Sequence, residues 1–328
     1  MSENKRLNGK NGTAQKSSRR FTAASLFTGI GGFDLGFESA GFKITFQCEI
    51  DPFCRAILHK HWPRIPQHED IKKLHATDIP SSDVWAGGFP CQDVSLARMG
   101  HRDGLRGTRS GLFYDFARLI GEACPRVVLL ENVAGLLSSH NGKDFGIVVG
   151  TLAELGYSVG WRVFNSKNFG VPQSRQRVYI VGCHRDTAGP AEILFESECG
   201  TGNASKSESN GEAAISPFKK VVGDIGGKGP VYQAIAYCLY ATSARHTGTD
   251  WSRTYVQYPR KGEVRRLTPQ ECEGVMSFPK GWTVPPSHRF DGEDVDSLRY
   301  HALGNAVTPP VAEWVASRIN RYLQKSKR

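Results

Sequence analysis

Residues 21–40 read FTAASLFTGIGGFDLGFESA, and the architecture follows from how this stretch divides. Phe21 to Phe27 is an apolar run of strand length, Thr28-Gly29-Ile30-Gly31-Gly32 is a tight glycine turn, and a helix runs on from Phe33 to Ala40. The unit then repeats. Lys43 to Glu49 predicts a second strand, with a helix from Pro52 to His61. Further strands are expected near Val84, Val127, Tyr157 and Val178, and helices over Leu112–Ala123 and Lys143–Leu155. Alternation of this kind predicts an α/β fold with a doubly wound, mostly parallel sheet.

The rhythm stops near Cys183. Residues 185–262 lack helical periodicity and include a low-complexity run, Gly200 to Glu212; they are read as a second, smaller domain. The pattern tightens again from Arg265, where Arg266-Leu267-Thr268-Pro269-Gln270-Glu271-Cys272 starts a structural helix that places Cys272 in a core. Pro309 and Pro310 open a final helix through Tyr322.

Bulk properties narrow the function. The 328 residues carry a net charge of +10, which points to a polyanionic partner, nucleic acid before membrane. No apolar stretch is long enough to cross a bilayer, and the amino terminus has no apolar core of a secretory signal. Eight cysteines include no Cys-x-x-Cys pair, which argues against a zinc or disulfide framework and fits a reducing cytoplasm. His246 and His301 belong to no metal-binding constellation, so no metal is expected. Residues 1–20 hold Lys5, Arg6, Lys10, Lys16, Arg19 and Arg20 against one acid, Glu3, and read as a disordered basic tail.

Two strand ends carry chemistry. Asp83-Val84-Trp85-Ala86 leads into Gly87-Gly88-Phe89-Pro90-Cys91-Gln92, which presents a thiol at a turn. Arg126 to Leu130 delivers Glu131-Asn132-Val133 at the same kind of position. A nucleophile and an acid at the carboxyl ends of parallel strands make an enzyme site. The glycine turn adds a small-molecule clue, because backbone without Cβ lets a ligand approach a helix amino terminus. Glu49, about twenty residues on, ends the second strand, where a carboxylate takes ribose hydroxyls. A dinucleotide fingerprint would place glycine where Asp34 stands. The turn therefore suits an adenosine ligand without a pyrophosphate, such as S-adenosylmethionine, with Asp70-Ile71 at the adenine edge.

Set in order, these blocks resemble the DNA (cytosine-5) methyltransferase family: Phe27 to Gly32, Glu49, Asp70-Ile71, Gly88 to Gln92 and Glu131 to Val133. Gln173-Ser174-Arg175-Gln176-Arg177, Arg266 to Cys272 and Gly304-Asn305-Ala306-Val307 complete the series. The resemblance runs from about residue 22 to 320 and is closest to single-chain prokaryotic or phage enzymes of restriction-modification systems. It implies a methyltransferase fold with a catalytic and cofactor-binding domain at 21–184 and a target-recognition domain and hinge at 185–298. Residues 299–328 then return to the catalytic domain.

Chemistry explains the residue types. Carbon 5 of cytosine is a poor nucleophile, and a thiolate adding at carbon 6 turns the ring into an enamine. The resemblance makes Cys91 that nucleophile and Glu131 the donor at ring nitrogen 3. It assigns Arg177 to the cytosine carbonyl oxygen and a phosphate, with Arg175 holding Glu131 in place. For S-adenosylmethionine it implies Phe27, Gly29, Ile30, Gly31, Gly32, Glu49, Ile50, Asp70, Ile71, Leu112, Asn305 and Val307. Ile50 departs from the tryptophan of many relatives, so weaker stacking on the adenine is expected.

Duplex DNA is the expected partner, with the target base flipped out of the stack. The segment after Cys91 carries Gln92, Arg98, Arg102, Arg106 and Arg109 with interleaved glycines, and reads as a lid gripping phosphates. Base reading is expected from the smaller domain, with Arg245, Arg253 and Thr254 as candidates. A monomer is expected, with a restriction endonuclease acting on the same site. Two other readings stay open: an RNA cytosine-5 methyltransferase, whose Cys-Phe-Thr signature is absent here, and a non-catalytic regulator of the same ancestry. Exchange of residues 185–262 with the matching region of a relative should transfer sequence preference. Methylation mapping that shows the recipient's own preference unchanged would refute this assignment.

Overall fold

The computed structural model describes residues 20–90, 111–195, 235–241, 254–258, 263–286 and 289–326. Cys91, Gln92, Arg98, Arg102, Arg106, Arg109, Arg245 and Arg253 lie outside these residues, as do residues 1–19 and the run Gly200 to Glu212. Strand and helix alternate as expected: β1 (Thr22–Leu26), α1 (Gly32–Ser39), β2 (Lys43–Cys48), α2 (Pro52–His61), β3 (Gln67–His68) and β4 (Val84–Gly87). After these come α3 (Leu112–Ala123), β5 (Val127–Val133), α4 (Lys143–Glu154), β6 (Tyr157–Asn165) and β7 (Gln176–His184).

These strands form one seven-stranded sheet in the order β3-β2-β1-β4-β5-β7-β6. Pairing is parallel except for β7, which runs antiparallel to both β5 and β6. The chain winds outward from β1 to β3, then crosses back to place β4 on the other side of β1. That reversal is a topological switch point, where ligands of open α/β sheets bind at the carboxyl ends of the strands. Leu26 pairs with Cys48 on one side and Gly87 on the other, and Gly87 pairs with Leu130. Strands β2, β1 and β4 therefore finish level, and β5 continues three residues further, from Leu130 to Val133.

Residues Val127 to Leu130 are wholly buried, as a central strand covered on both faces requires. On one face Trp85, Val128, Leu130 and Ile180 meet Phe113, Phe116 and Ile120 of α3 and Val148 and Leu152 of α4. The buried residues of α3 recur at Phe113, Phe116, Ala117 and Ile120, the spacing of one helical face. On the other face Ala23, Ile44, Ala86 and Leu129 meet Phe33 and Phe37 of α1.

Beyond β7 the elements are α5 (Gly189–Leu194), the antiparallel hairpin β8 (Tyr255–Tyr258) and β9 (Glu263–Arg266), α6 (Pro269–Val275), α7 (Val295–Asn305) and α8 (Pro309–Lys325). The last helix starts at Pro309 as expected, and its Val311, Val315 and Ile319 pack in the same core as α1. The carboxyl terminus thus returns to the sheet. Thr268 caps α6 in a reciprocal box with Glu271, and Cys272 is buried in the core beneath it.

Two expected boundaries shift. Residues 189–194, placed in the smaller domain by their lack of periodicity, form α5 against β6, β7 and α8. Six residues are too short for a periodic signal. Carbonyl oxygens of this helix accept from Arg162 and Arg318. The expected division between 298 and 299 falls inside α7, which joins α2 and α6 in a third core with Ile30, Trp62, Trp282 and Leu303. Among the described residues no helix is long and apolar enough to cross a membrane.

The crossing of α1 and α8 has no slack. A Cβ on Gly36 would lie 2.5 Å from Ala312 Cβ and 2.6 Å from the Glu313 nitrogen. Gly36→Val should lower the free energy of unfolding by about 3 kcal/mol through overpacking, measured by urea denaturation. A change below about 1 kcal/mol would contradict this contact, being within the range of an unremarkable substitution.

Candidate active site

The glycine turn sits at the switch point. Phe27 has φ 54°, Gly29 58° and Gly31 86°, so the chain leaves β1 through left-handed backbone before entering α1. Thr28 ties the turn to β2: its Oγ1 donates to the Cys48 carbonyl at 3.1 Å and its N–H donates there at 3.1 Å. Glu49 closes it. One carboxylate oxygen accepts from the Gly29 N–H at 2.7 Å, the other from the Asp51 N–H at 2.8 Å. Burial raises the pKa of Glu49, while the bonds from Asp51 and Gly29 oppose that rise.

The three glycines divide by what they face. A Cβ on Gly31 would strike Trp62 at 2.4 Å, and one on Gly32 would strike the Val307 carbonyl oxygen at 2.2 Å. A Cβ on Gly29 would have no atom within 4 Å. Open space therefore lies at Gly29, whereas Gly31 and Gly32 permit close packing of the chain on itself. No side chain caps the amino terminus of α1, so its backbone donors suit a polar ligand group. A carboxylate beside an open glycine turn at a switch point fits an adenosyl group.

The other expected cofactor residues differ in their settings. Ile50 is 68% exposed. Phe27 packs edge-on against Phe116 at 5.8 Å. Asp70 accepts from the Lys72 N–H at 3.0 Å, while Ile71 is buried in the core and Leu112 packs against it. Val307 lies against Gly32, and Asn305 is exposed with its Nδ2 3.1 Å from His301 Nε2.

Glu131 lies in β5 one residue beyond its pairing with β4 and is 7% exposed. Its Oε1 is 3.2 Å from Arg177 Nε. Its Oε2 would be 3.1 Å from a Cβ on Gly88, so glycine lets the segment leading to Cys91 run directly past the carboxyl group. Burial raises the pKa of Glu131 and outweighs the opposing effect of Arg177 and Arg175. Beside it Asn132 donates from Nδ2 to the Phe89 carbonyl at 3.1 Å. Asn132 thereby fixes Gly88–Pro90 against β5, a positioning role that its place in the Glu-Asn-Val block did not reveal.

Two expectations need correction. The partner of Glu131 is Arg177, not Arg175. Register explains it: Val133 pairs with Arg177, which puts Arg177 diagonally across from Glu131 on one face. Arg175 precedes β7 and is 2% exposed. Its guanidinium donates to the carbonyls of Leu239, Gly304 and Ala306 at 3.1, 3.0 and 2.9 Å. It braces segments far apart in the chain. Thr254, expected at a DNA groove, is 7% exposed, and its hydroxyl accepts from the Tyr237 N–H at 2.9 Å.

This geometry agrees with comparisons to known proteins. The model of the C-5 cytosine-specific DNA methylase family matches residues 21–210 and 193–321. The chain belongs to that family. It is 40% identical over 340 residues to the type II methyltransferase M.BsuFI of Bacillus subtilis, covering 95% of this chain and 76% of that one. It is 32% identical to M.SsoII of Shigella sonnei, covering 92% and 80%. The fold is also that of the Dnmt2 methyltransferase of S. pombe, with a TM-score of 0.68 at 17% identity over 94% of this chain and 100% of that one. The protein is thus a DNA cytosine-5 methyltransferase of the S-adenosylmethionine-dependent class.

For a methyltransferase of this family, Glu131 has a measurable signature. Its folded-state pKa lies above the ordinary value of 4.5. Below that value both states are protonated and the residue is neutral towards folding. As pH rises through the folded-state pKa, ionisation opposes folding. Glu131→Gln, which keeps an acceptor for Arg177, should be more stable than the parent at pH 8 and equal to it near pH 4. Urea unfolding at both values measures this; a stability difference independent of pH would contradict the raised pKa.

Proposed function

We propose that this chain methylates carbon 5 of a cytosine flipped out of duplex DNA, through a transient bond to Cys91. The observation that carries the reading is the approach of Gly88 to the Glu131 carboxyl group, at 3.1 Å from a Cβ built on that glycine. The chain that bears the nucleophile is thereby led past a buried acid of raised pKa.

In this mechanism the Cys91 thiolate forms a bond to carbon 6, and the ring's electrons move towards nitrogen 3 and carbon 5. Glu131 meets the charge developing at nitrogen 3 with a proton, for which its dry setting keeps it ready. Arg177 holds Glu131 and offers its remaining donors to the carbonyl oxygen of the base. Bound S-adenosylmethionine supplies an electrophilic methyl group on sulfonium. Its ribose is assigned to Glu49, its adenine to Ile50 and Asp70, and the open side of the turn to Gly29. Once carbon 5 carries the methyl group, its proton leaves to a base and Cys91 is expelled with the electron pair of its bond to carbon 6.

The surrounding parts follow from the same reading. Gln92, Arg98, Arg102, Arg106 and Arg109 grip the flipped strand, and Arg245 and Arg253 contribute to target choice. The enzyme acts as a monomer in the bacterial cytoplasm and shields its site from an endonuclease that cuts the same sequence. Arg175 acts in this scheme as a brace, holding Gly304–Ala306 beside the glycine turn.

Bisulfite sequencing of plasmid DNA from a host without cytosine methylation tests the proposal. The chain should protect cytosines in one recurrent site, and Cys91→Ala should protect none while still binding DNA. Absence of protection by a folded chain that binds the cofactor would overturn the DNA reaction.

A further inference from the structure

The glycine turn is held from a part of the chain that the chemistry does not use. Trp282 is 7% exposed, and its indole Nε1 donates a buried hydrogen bond of 2.9 Å to the carbonyl oxygen of Ile30. The N–H of the same peptide unit, on Gly31, donates to the Thr28 carbonyl at 3.1 Å. The peptide plane between Ile30 and Gly31 is therefore pinned at both ends. On either side of Ile30 stand Gly29 and Gly31, at φ 58° and 86°. Glycine restrains its own backbone least of all residues, so the orientation of this plane depends on its two hydrogen bonds, one within the turn and one from Trp282.

Trp282 is itself firmly placed. Its ring stacks on His61 with centroids 3.5 Å apart and planes within 2°, and it meets Trp62 edge-on at 5.5 Å. His61 Nε2 lies 3.0 Å from the Trp282 carbonyl oxygen. Lys60 donates from Nζ to the carbonyls of Gly281 and Val284 at 3.2 and 2.9 Å. From within, the wholly buried Glu273 accepts from the N–H groups of Gly281 and Thr283 at 2.6 and 2.8 Å and pairs with Arg299 at 3.1 Å. The loop around Trp282 is thus fastened to α2 on one side and to α6 and α7 on the other. It points a single donor at the turn.

We propose that Trp282 is a positioning residue for the cofactor turn: its indole N–H sets the Ile30–Gly31 peptide so that Gly29 and the donors opening α1 face the bound adenosyl group. This rests on the reading of that turn as the S-adenosylmethionine site. The ring contacts with His61 and Trp62 are ones that a phenyl group can also make, and the donor to Ile30 is one that it cannot. Removal of the indole nitrogen therefore separates positioning from packing.

The test is calorimetric titration of the full chain with S-adenosylhomocysteine, the unreactive analogue that lacks the transferred methyl group, beside thermal unfolding of the free protein. Trp282→Phe should bind the analogue roughly fivefold more weakly, the scale set by one buried hydrogen bond, while remaining folded. Lys60→Met, which removes two loop contacts on the surface without touching the turn, should weaken binding about twofold. If Trp282→Phe melts earlier yet binds as the parent does, the tryptophan is only structural and the proposal fails. Should Trp282→Phe not fold, Lys60→Met decides, and unchanged affinity there overturns the proposal. No binding by the parent chain would instead remove the cofactor reading beneath it.

Discussion

The carboxyl edge of the sheet depends on how closely the backbone can approach itself there. Strands β2, β1 and β4 end level, with β5 running on to Val133, and the segments that leave them must pass one another without side chains between. At Gly32 the neighbour is the carbonyl of Val307, and at Gly304 it is the backbone of Tyr240 and Ala241, 2.3 Å from a Cβ position. Such contacts bring Val307 onto the first turn and a piece from residues 237–241 against Gly304. Once they are made, the turn, the strand ends and the brace of Arg175 form one surface.

On that surface the chain spends little charge and places it carefully. Glu131 and Arg175 are buried almost completely, and isolated ions in such positions would be unstable. Arg175 meets the problem with three backbone carbonyls, which makes it a structural tie. Glu131 has Arg177 alongside, yet burial still keeps its proton more firmly held than in water. A carboxyl group whose proton is held more firmly is the better donor to a ring nitrogen. In the proposed mechanism, the same desolvation that costs folding stability prepares the acid for its reaction.

Much of this was legible in the sequence because it depends on local chemistry. The strand-turn-helix of residues 21–40, the apolar run Val127 to Leu130 and the proline start of α8 are each signalled by residues within one element. Elements whose signal is short or weak were not legible. α5 is held by Arg162 and Arg318 from distant elements. The buried residues of α7 are confined to Ala302, Leu303 and Gly304, so no apolar stripe announces it. The antiparallel insertion of β7 between β5 and β6 also left no local mark, because any central strand is apolar whichever way it runs.

The site divides in the same way. The strand-end acid, the glycine turn and the carboxylate of Glu49 can be read along the chain, since each is a residue type at a required spacing from a strand. Which arginine meets Glu131 cannot be read that way, because it follows from the register of β5 against β7. Tertiary structure likewise turned Thr254 inward and set Asn132 on Phe89. It also brought Trp282 to a carbonyl 252 residues away in the chain. Spacing along a chain encodes what a segment becomes, whereas contacts between distant segments arise only when the sheet and its cores have brought them together.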